Sequence, residues 1–240
     1  MSKYSRTEVI VPDIAQPFSG YSTKSTKASN IAMVQAIQKN YGASIKRWAQ
    51  VFEIPEGIIV GFIATESGGR QNIVNRAFPN IKGLMQVSDT TIYDVVVKWK
   101  VEVDSDRPAE MDASLKAKIP ELLTRKTYDK MTAAIGTKIV ALAGADADFN
   151  IMMGTAILRW LLERFSTTLG GGQLNKAMVA YNAGPYNKAI SSGTKAITTP
   201  MDSTTLANNP RVPAESRGYL YKMLGTDGFL DLIYKQKALG

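Results

Sequence analysis

The chain contains no cysteine and no histidine in 240 residues. Without them there is no thiol nucleophile, no Ser-His-Asp triad and no ordinary zinc site. Carboxylate chemistry is what remains, and cleavage of glycosidic bonds is carboxylate chemistry. No apolar run reaches the length of a membrane span, so no span is expected. The first twenty residues lack the apolar stretch of a secretory signal, which points to synthesis and folding in a cytoplasm. Acidic residues are scarce, 21 against 29 Lys and Arg, for a net charge of +8. The first fifty residues hold seven of the bases and only two acids. That bias suits an anionic partner: nucleic acid, a membrane surface or a bacterial wall with its acidic peptides. Zinc-finger spacing, a ribonucleoprotein aromatic motif and dense basic runs are all missing, so nucleic acid is not expected. Hydrophobic residues make up 45%, enough to build a proper core.

The stretch with the most chemistry in it runs from Ile58 to Val87. It begins as an apolar helix, with Pro55 suited to the first turn and Glu56 favourable to the helix dipole. Ile59, Phe62 and Ile63 fall at i, i+3 and i+4 and mark a buried face. The i+7 position of that face is Glu66, after which Ser67, Gly68 and Gly69 end the helix. A carboxyl on an apolar face is desolvated, so its pKa should rise into the range a general acid needs. Read alone, Glu66 is equally a helix-end acid reaching water.

Its company separates these readings. Glu66-Ser67 followed by Gly83-Leu84-Met85-Gln86 resembles the opening motifs of the soluble lytic transglycosylases, a lysozyme-like family acting on peptidoglycan. Ala180-Tyr181-Asn182-Ala183-Gly184 and Pro213-Ala214-Glu215-Ser216-Arg217-Gly218-Tyr219-Leu220 extend the resemblance in the right order. Asp148, Asn150, Ile151 and Gly154 fit the segment between them. The resemblance implies a mainly α, lysozyme-like transglycosylase domain over residues 29–240, with an N-terminal extension (1–28) and an enlarged helical insertion at about 92–147.

The rest of the chain is read around these blocks. Pro12, Pro17, Gly20 and a Ser/Thr/Lys mixture make residues 1–28 a tail, a wrapping arm or a wall-attachment segment. Ser29 or Asn30 should cap a helix to Tyr41 ended by Gly42, followed by a second helix from Ser44 to Phe52; Trp48 reads as core. Between Thr90 and Ala147, helices fit Ala113–Ile119, Glu121–Met131 and Ala133–Ala143. Val95–Val97 and Val101–Val103 could instead be short strands, and Asp104–Pro108 reads as a turn. This insertion is expected to form a wall of the groove or a surface for a partner. Asp148 should cap a helix from Asn150 to Phe165, with Gly154 permitting a close crossing and Trp160 in core or groove. Gly170–Gly172 is a break, Leu174–Asn182 the next helix, and Ser191–Val212 a structureless wall beside the last motif.

By resemblance, Glu66 is the single acid/base. It protonates the leaving glycosidic oxygen, then deprotonates the 6-hydroxyl of the muramic sugar, which closes to a 1,6-anhydro ring. The substrate's acetamido group assists, and neither metal nor cofactor is needed. Gln86, Tyr181, Asn182 and Tyr219 are implied groove residues; Met85 joins them by resemblance, while Leu84 and Met85 are equally well read as core. Ser67 would orient Glu66, Gly83 would let backbone approach the sugar, and Glu215 would be a structural hydrogen-bond partner. The rival is hydrolysis, as in goose-type lysozymes, with Asp89 holding water; Ser88-Asp89-Thr90 reads instead as a helix start. A third reading is a wall-binding virion protein without catalysis. The missing signal and the lack of Cys suit a bacteriophage-encoded endolysin or virion component, with glycan strands and other virion proteins as partners.

Overall fold

The structure, a computed structural model, describes residues 25–75, 77–103, 106–127, 129–169, 174–186 and 201–239. Most of the extension (1–24), residues 191–200 of the expected wall, Asp104 and Ser105 of the expected turn, and Gly170–Gly172 lie outside them.

Helix α1 (Lys27–Phe52) is one helix where two are expected. Thr26 caps it, exchanging reciprocal bonds with Ser29. Gly42 does not end it because the stripe Val34, Ile37, Ile45, Trp48 and Phe52 is buried on both sides of that position. One internal glycine costs about 1 kcal/mol, less than the burial of two such side chains contributes, at roughly 1.5–3 kcal/mol each.

Helix α2 (Glu56–Glu66) is buried on every side from Gly57 to Ala64. The expected single apolar face is therefore wrong: α2 is a central helix, touched by α1, α10 (Ala214–Leu224) and α11 (Phe229–Tyr234). Glu66 stands out because it is the last residue of that buried rod.

A small antiparallel hairpin follows, β1 (Ile81–Lys82) with β2 (Val87–Ser88), pairing Ile81 with Ser88 and Lys82 with Val87. The motif Gly83–Gln86 is its loop. Helix α3 (Asp89–Val103) takes in both valine runs for which strands were the alternative. Ile92, Val95, Val96 and Trp99 are all buried at helical spacing, and that packing overrides the β preference of valine. The chain continues through α4 (Ala109–Lys118), α5 (Pro120–Leu123) and α6 (Ala133–Ala145). The expected helix to Met131 is thus a single turn.

Helix α7 (Ala147–Leu169) starts earlier than expected. Its cap is Asp146, whose Oδ1 accepts from the Phe149 amide at 2.9 Å. Asp148 instead accepts from the Trp48 indole N–H at 2.9 Å and ties α7 to α1. Trp48 and Trp160 are both fully buried core. Helices α8 (Leu174–Ala183) and α9 (Ser203–Asn208) complete the set. Asp202 caps α9 through the Thr205 amide, and Leu206, Ala207 and Val212 are buried, so the described part of 191–212 is built structure. Residues of the 92–147 segment belong to the same hydrophobic cluster as α1, α2 and α7. No described helix is long and apolar enough to cross a membrane.

Candidate active site

Glu66 opens onto a cleft of about 900 Å³. One wall is the end of α2 with the loop and hairpin after it: Thr65, Glu66, Asn75, Phe78, Ile81, Gln86, Val87 and Ser88. The other is the end of α8, Tyr181 to Gly184, with one face of α10, namely Ala214, Glu215, Gly218, Tyr219 and Lys222. Thr91 and Ile157 close the floor. Among the described residues, nothing from 92–147 reaches this cleft, so the insertion packs behind the site and does not wall it.

Glu66 is half-buried, open toward the cleft and enclosed by protein elsewhere. Desolvation dominates its titration and pushes the carboxyl up to about 7. Tyr219 and Lys222 pull it down, and the like charge of Glu215 adds a smaller upward push. The Tyr219 hydroxyl is buried and makes no hydrogen bond of ordinary length and angle. It still sits close enough to Glu66 for each to shift the other, and burial beside that carboxyl lifts the Tyr219 phenol well above its usual value. Tyr181 is raised in the same way. Phe62, one turn before Glu66, meets both rings edge-on, Tyr181 at 4.9 Å and Tyr219 at 6.2 Å between centroids. The helix that ends in the acid thus also sets both tyrosines.

The hairpin loop is pinned from behind by Asn150, which is fully buried. Its Oδ1 accepts from the Met85 amide at 2.8 Å, and its Nδ2 donates to the carbonyls of Lys82 and Ala143, each at 2.9 Å. Tyr181 closes the loop from the cleft side by donating to the Met85 carbonyl at 2.9 Å. Gly83 has φ +79°, and a Cβ there would stand 2.1 Å from Asn150 Nδ2 and 2.4 Å from the Ala143 carbonyl. Its close approach is therefore to Asn150 and α6, not to a sugar. Gly154 likewise makes room for Met85, whose sulfur would be 2.4 Å from an added Cβ.

Several expected roles change accordingly. Met85 is fully buried, so its backbone serves the site and its side chain is core. Ser67 is buried too; its hydroxyl donates to the Ile63 carbonyl and accepts from the Gly69 amide, which finishes α2 without touching Glu66. Glu215 is an exposed rim residue that acts on Glu66 through charge and not as a structural partner. Gln86 does line the cleft, in a left-handed conformation (φ 46°), with its amide donating to the Gly83 carbonyl at 2.8 Å. Asn182 lines it as well, accepting from the Ser216 hydroxyl at 2.6 Å and joining α8 to α10. Asp89 is not among the lining residues. It begins α3, accepts from the Asn80 amide at 2.8 Å, and leaves the capping to the Ser88 hydroxyl, which accepts from the Thr91 amide.

Sequence reading missed Thr65, Asn75, Phe78 and Lys222 as cleft residues. Lys222 was findable: Glu215, Gly218, Tyr219 and Lys222 form one i, i+3, i+4, i+7 face of α10. The described residues hold no cluster of three or more Asp and Glu able to bind a metal ion.

Comparison with known proteins bears on this arrangement. Residues 140–206 match the family described as Transglycosylase SLT domain. That segment carries Asn150, Gly154 and the Tyr181–Gly184 wall; Glu66 lies outside it. The fold is similar to the crystal structure of the 70 kDa soluble lytic transglycosylase of Escherichia coli, with TM-score 0.50 and 20% identity over 86% of this chain and 28% of that one. An inactive mutant of the lytic transglycosylase Slt from Pseudomonas aeruginosa aligns at TM-score 0.45 and 17% identity, over 84% of this chain and 25% of that one. The chain therefore spans about a quarter of the length of either neighbour. No curated protein matches it. The architecture shared with the Escherichia coli structure is a mainly helical, lysozyme-like fold.

Proposed function

We propose that the chain is a peptidoglycan lytic transglycosylase. In this reading it cleaves the β-1,4 bond between N-acetylmuramic acid and N-acetylglucosamine, with Glu66 as its single acid/base. The observation that carries the reading is a carboxyl raised to about 7 at the end of a buried helix, facing an open cleft and flanked by two tyrosines. At neutral pH a sizeable fraction of Glu66 holds the proton it must give to the leaving glycosidic oxygen. Once ionised, the same group takes the proton of the muramic 6-hydroxyl, which attacks C1 and closes the 1,6-anhydro ring. The acetamido group of the substrate stabilises the positive sugar in between. Tyr219 beside Glu66 favours its ionised form in the second half of the cycle.

Two observations favour this chemistry over hydrolysis. Asp89, the residue a goose-type mechanism would use, is engaged by Asn80 away from the cleft lining. The other lining carboxylate, Glu215, is exposed on the rim. Glu66→Gln keeps size and polarity but removes the titrating proton. It should abolish lysis of purified walls with an unchanged circular-dichroism spectrum; lysis within a few-fold of wild type would contradict the assignment. The proposal extends to a bacteriophage setting, as endolysin or virion component. The support there is compositional, the lack of Cys and the basic charge, and finding the chain in purified virions would test it.

A further inference from the structure

The loop between α2 and the hairpin carries one feature that the chemistry at Glu66 does not use. Phe78 is 59% exposed and lines the cleft. Single exposed apolar residues are common and ordinarily need no explanation. Among the exposed large hydrophobic residues described, Val74, Val101, Tyr186 and Tyr234 all lie off the cleft lining; Phe78 alone is on it.

Its backbone is also fixed on both sides. The Asn75 side chain accepts from the amides of Ala77 and Phe78 at 3.0 and 3.2 Å. The Phe78 carbonyl accepts from the Ile81 amide at 2.9 Å. Pro79 follows and confines Phe78 to an extended backbone. The ring is therefore held out by a constrained turn on the wall that includes Glu66, and Ile81 and Val87 of the hairpin that follows line the same cleft.

An aromatic face exposed along a cleft of mixed polar and apolar lining matches one component of a glycan. A β-linked hexosamine presents hydroxyls and its acetamido group around its edge, and C–H bonds on its faces. The negatively polarised face of an aromatic ring attracts such C–H bonds, and covering it removes apolar surface from water.

We propose that Phe78 is a stacking platform for one N-acetylhexosamine ring of the bound strand, extending glycan recognition along the cleft from the bond cleaved at Glu66. This rests on the glycan-cleaving reading. Phe78 fixes how the strand lies; it does not take part in bond breaking.

The test uses the full chain carrying Glu66→Gln, so that ligand is bound and not consumed. Affinity for a soluble chitooligosaccharide is measured by calorimetry, and binding to purified sacculi by sedimentation. Adding Phe78→Ala should weaken chitooligosaccharide binding about tenfold, equivalent to about 1.4 kcal/mol. It should leave the melting temperature unchanged, because the ring is exposed. Adding Phe78→Trp should restore the affinity and give a fluorescence change on titration with sugar. Equal affinity of the Ala and parent proteins would overturn the platform and leave the glycan-cleaving reading standing. If the Glu66→Gln parent binds neither ligand, both fall together.

Discussion

Glu66 titrates near neutrality because it terminates a helix that is buried all round, and this has two consequences that can be measured. A general acid with a pKa of about 7 must be protonated to act, so kcat/KM for wall lysis should fall as pH rises above 7. Stability should move in the same direction. The folded pKa lies above the unfolded value of 4.5, so the folded state binds more protons between pH 4.5 and about 7. Stability is therefore lost progressively as pH rises through that window, by on the order of 1–3 kcal/mol once the opening to solvent is taken into account. Glu66→Gln carries no such penalty. Its melting temperature should exceed that of wild type at pH 8, and the gap should close by pH 4.5. Tyr219 adds a separate expectation. Its hydroxyl is buried without an ordinary hydrogen bond, so Tyr219→Phe should leave stability unchanged or slightly raised. Because that hydroxyl lowers the Glu66 pKa, the variant's pH–rate profile should shift to higher pH while its turnover drops. A Phe variant with the wild-type rate and profile would make Tyr219 a packing residue only.

At the scale of elements, the hairpin loop depends on one side chain. Asn150 satisfies one amide and two carbonyls in a place without solvent. Asn150→Ala leaves all three unpaired, and at about 1–3 kcal/mol per buried group the loss should be roughly 3 kcal/mol or more, read from urea denaturation. The order of the motifs and the helical character of most of the chain could be read from the sequence, because Glu66, the Gly83–Gln86 run, Tyr181 and Tyr219 carry distinctive residue types. What could not be read were the partners that make those residues useful. Asn150 lies 65 residues after Met85, and no local pattern announces that a buried amide holds a distant loop. The valines of α3 allow a strand reading because their preference is local, while the packing that makes them helical is not. Gly42 read as a stop because a glycine's cost shows in the sequence, whereas the burial that outweighs it shows only in the fold. Ser67 had the right address and the wrong role, and of the two readings of Met85 the core one holds: adjacency to a motif does not say which way a side chain points.

At the scale of the molecule, the cleft is built from both halves of the chain: the acid and the hairpin wall from the first, the Tyr181 and Tyr219 wall from the second. The family match covers residues 140–206, the half with Asn150 and the Tyr181 wall, and Glu66 is supplied by a segment outside it. If these parts together make an enzyme that closes an anhydro ring and adds no water, its products carry the signature. Mass analysis of muropeptides released from purified peptidoglycan in 18O-labelled water tests it directly. The expected products carry 1,6-anhydromuramic ends with no solvent oxygen. Reducing ends carrying the 18O label would contradict it and make the protein a hydrolase.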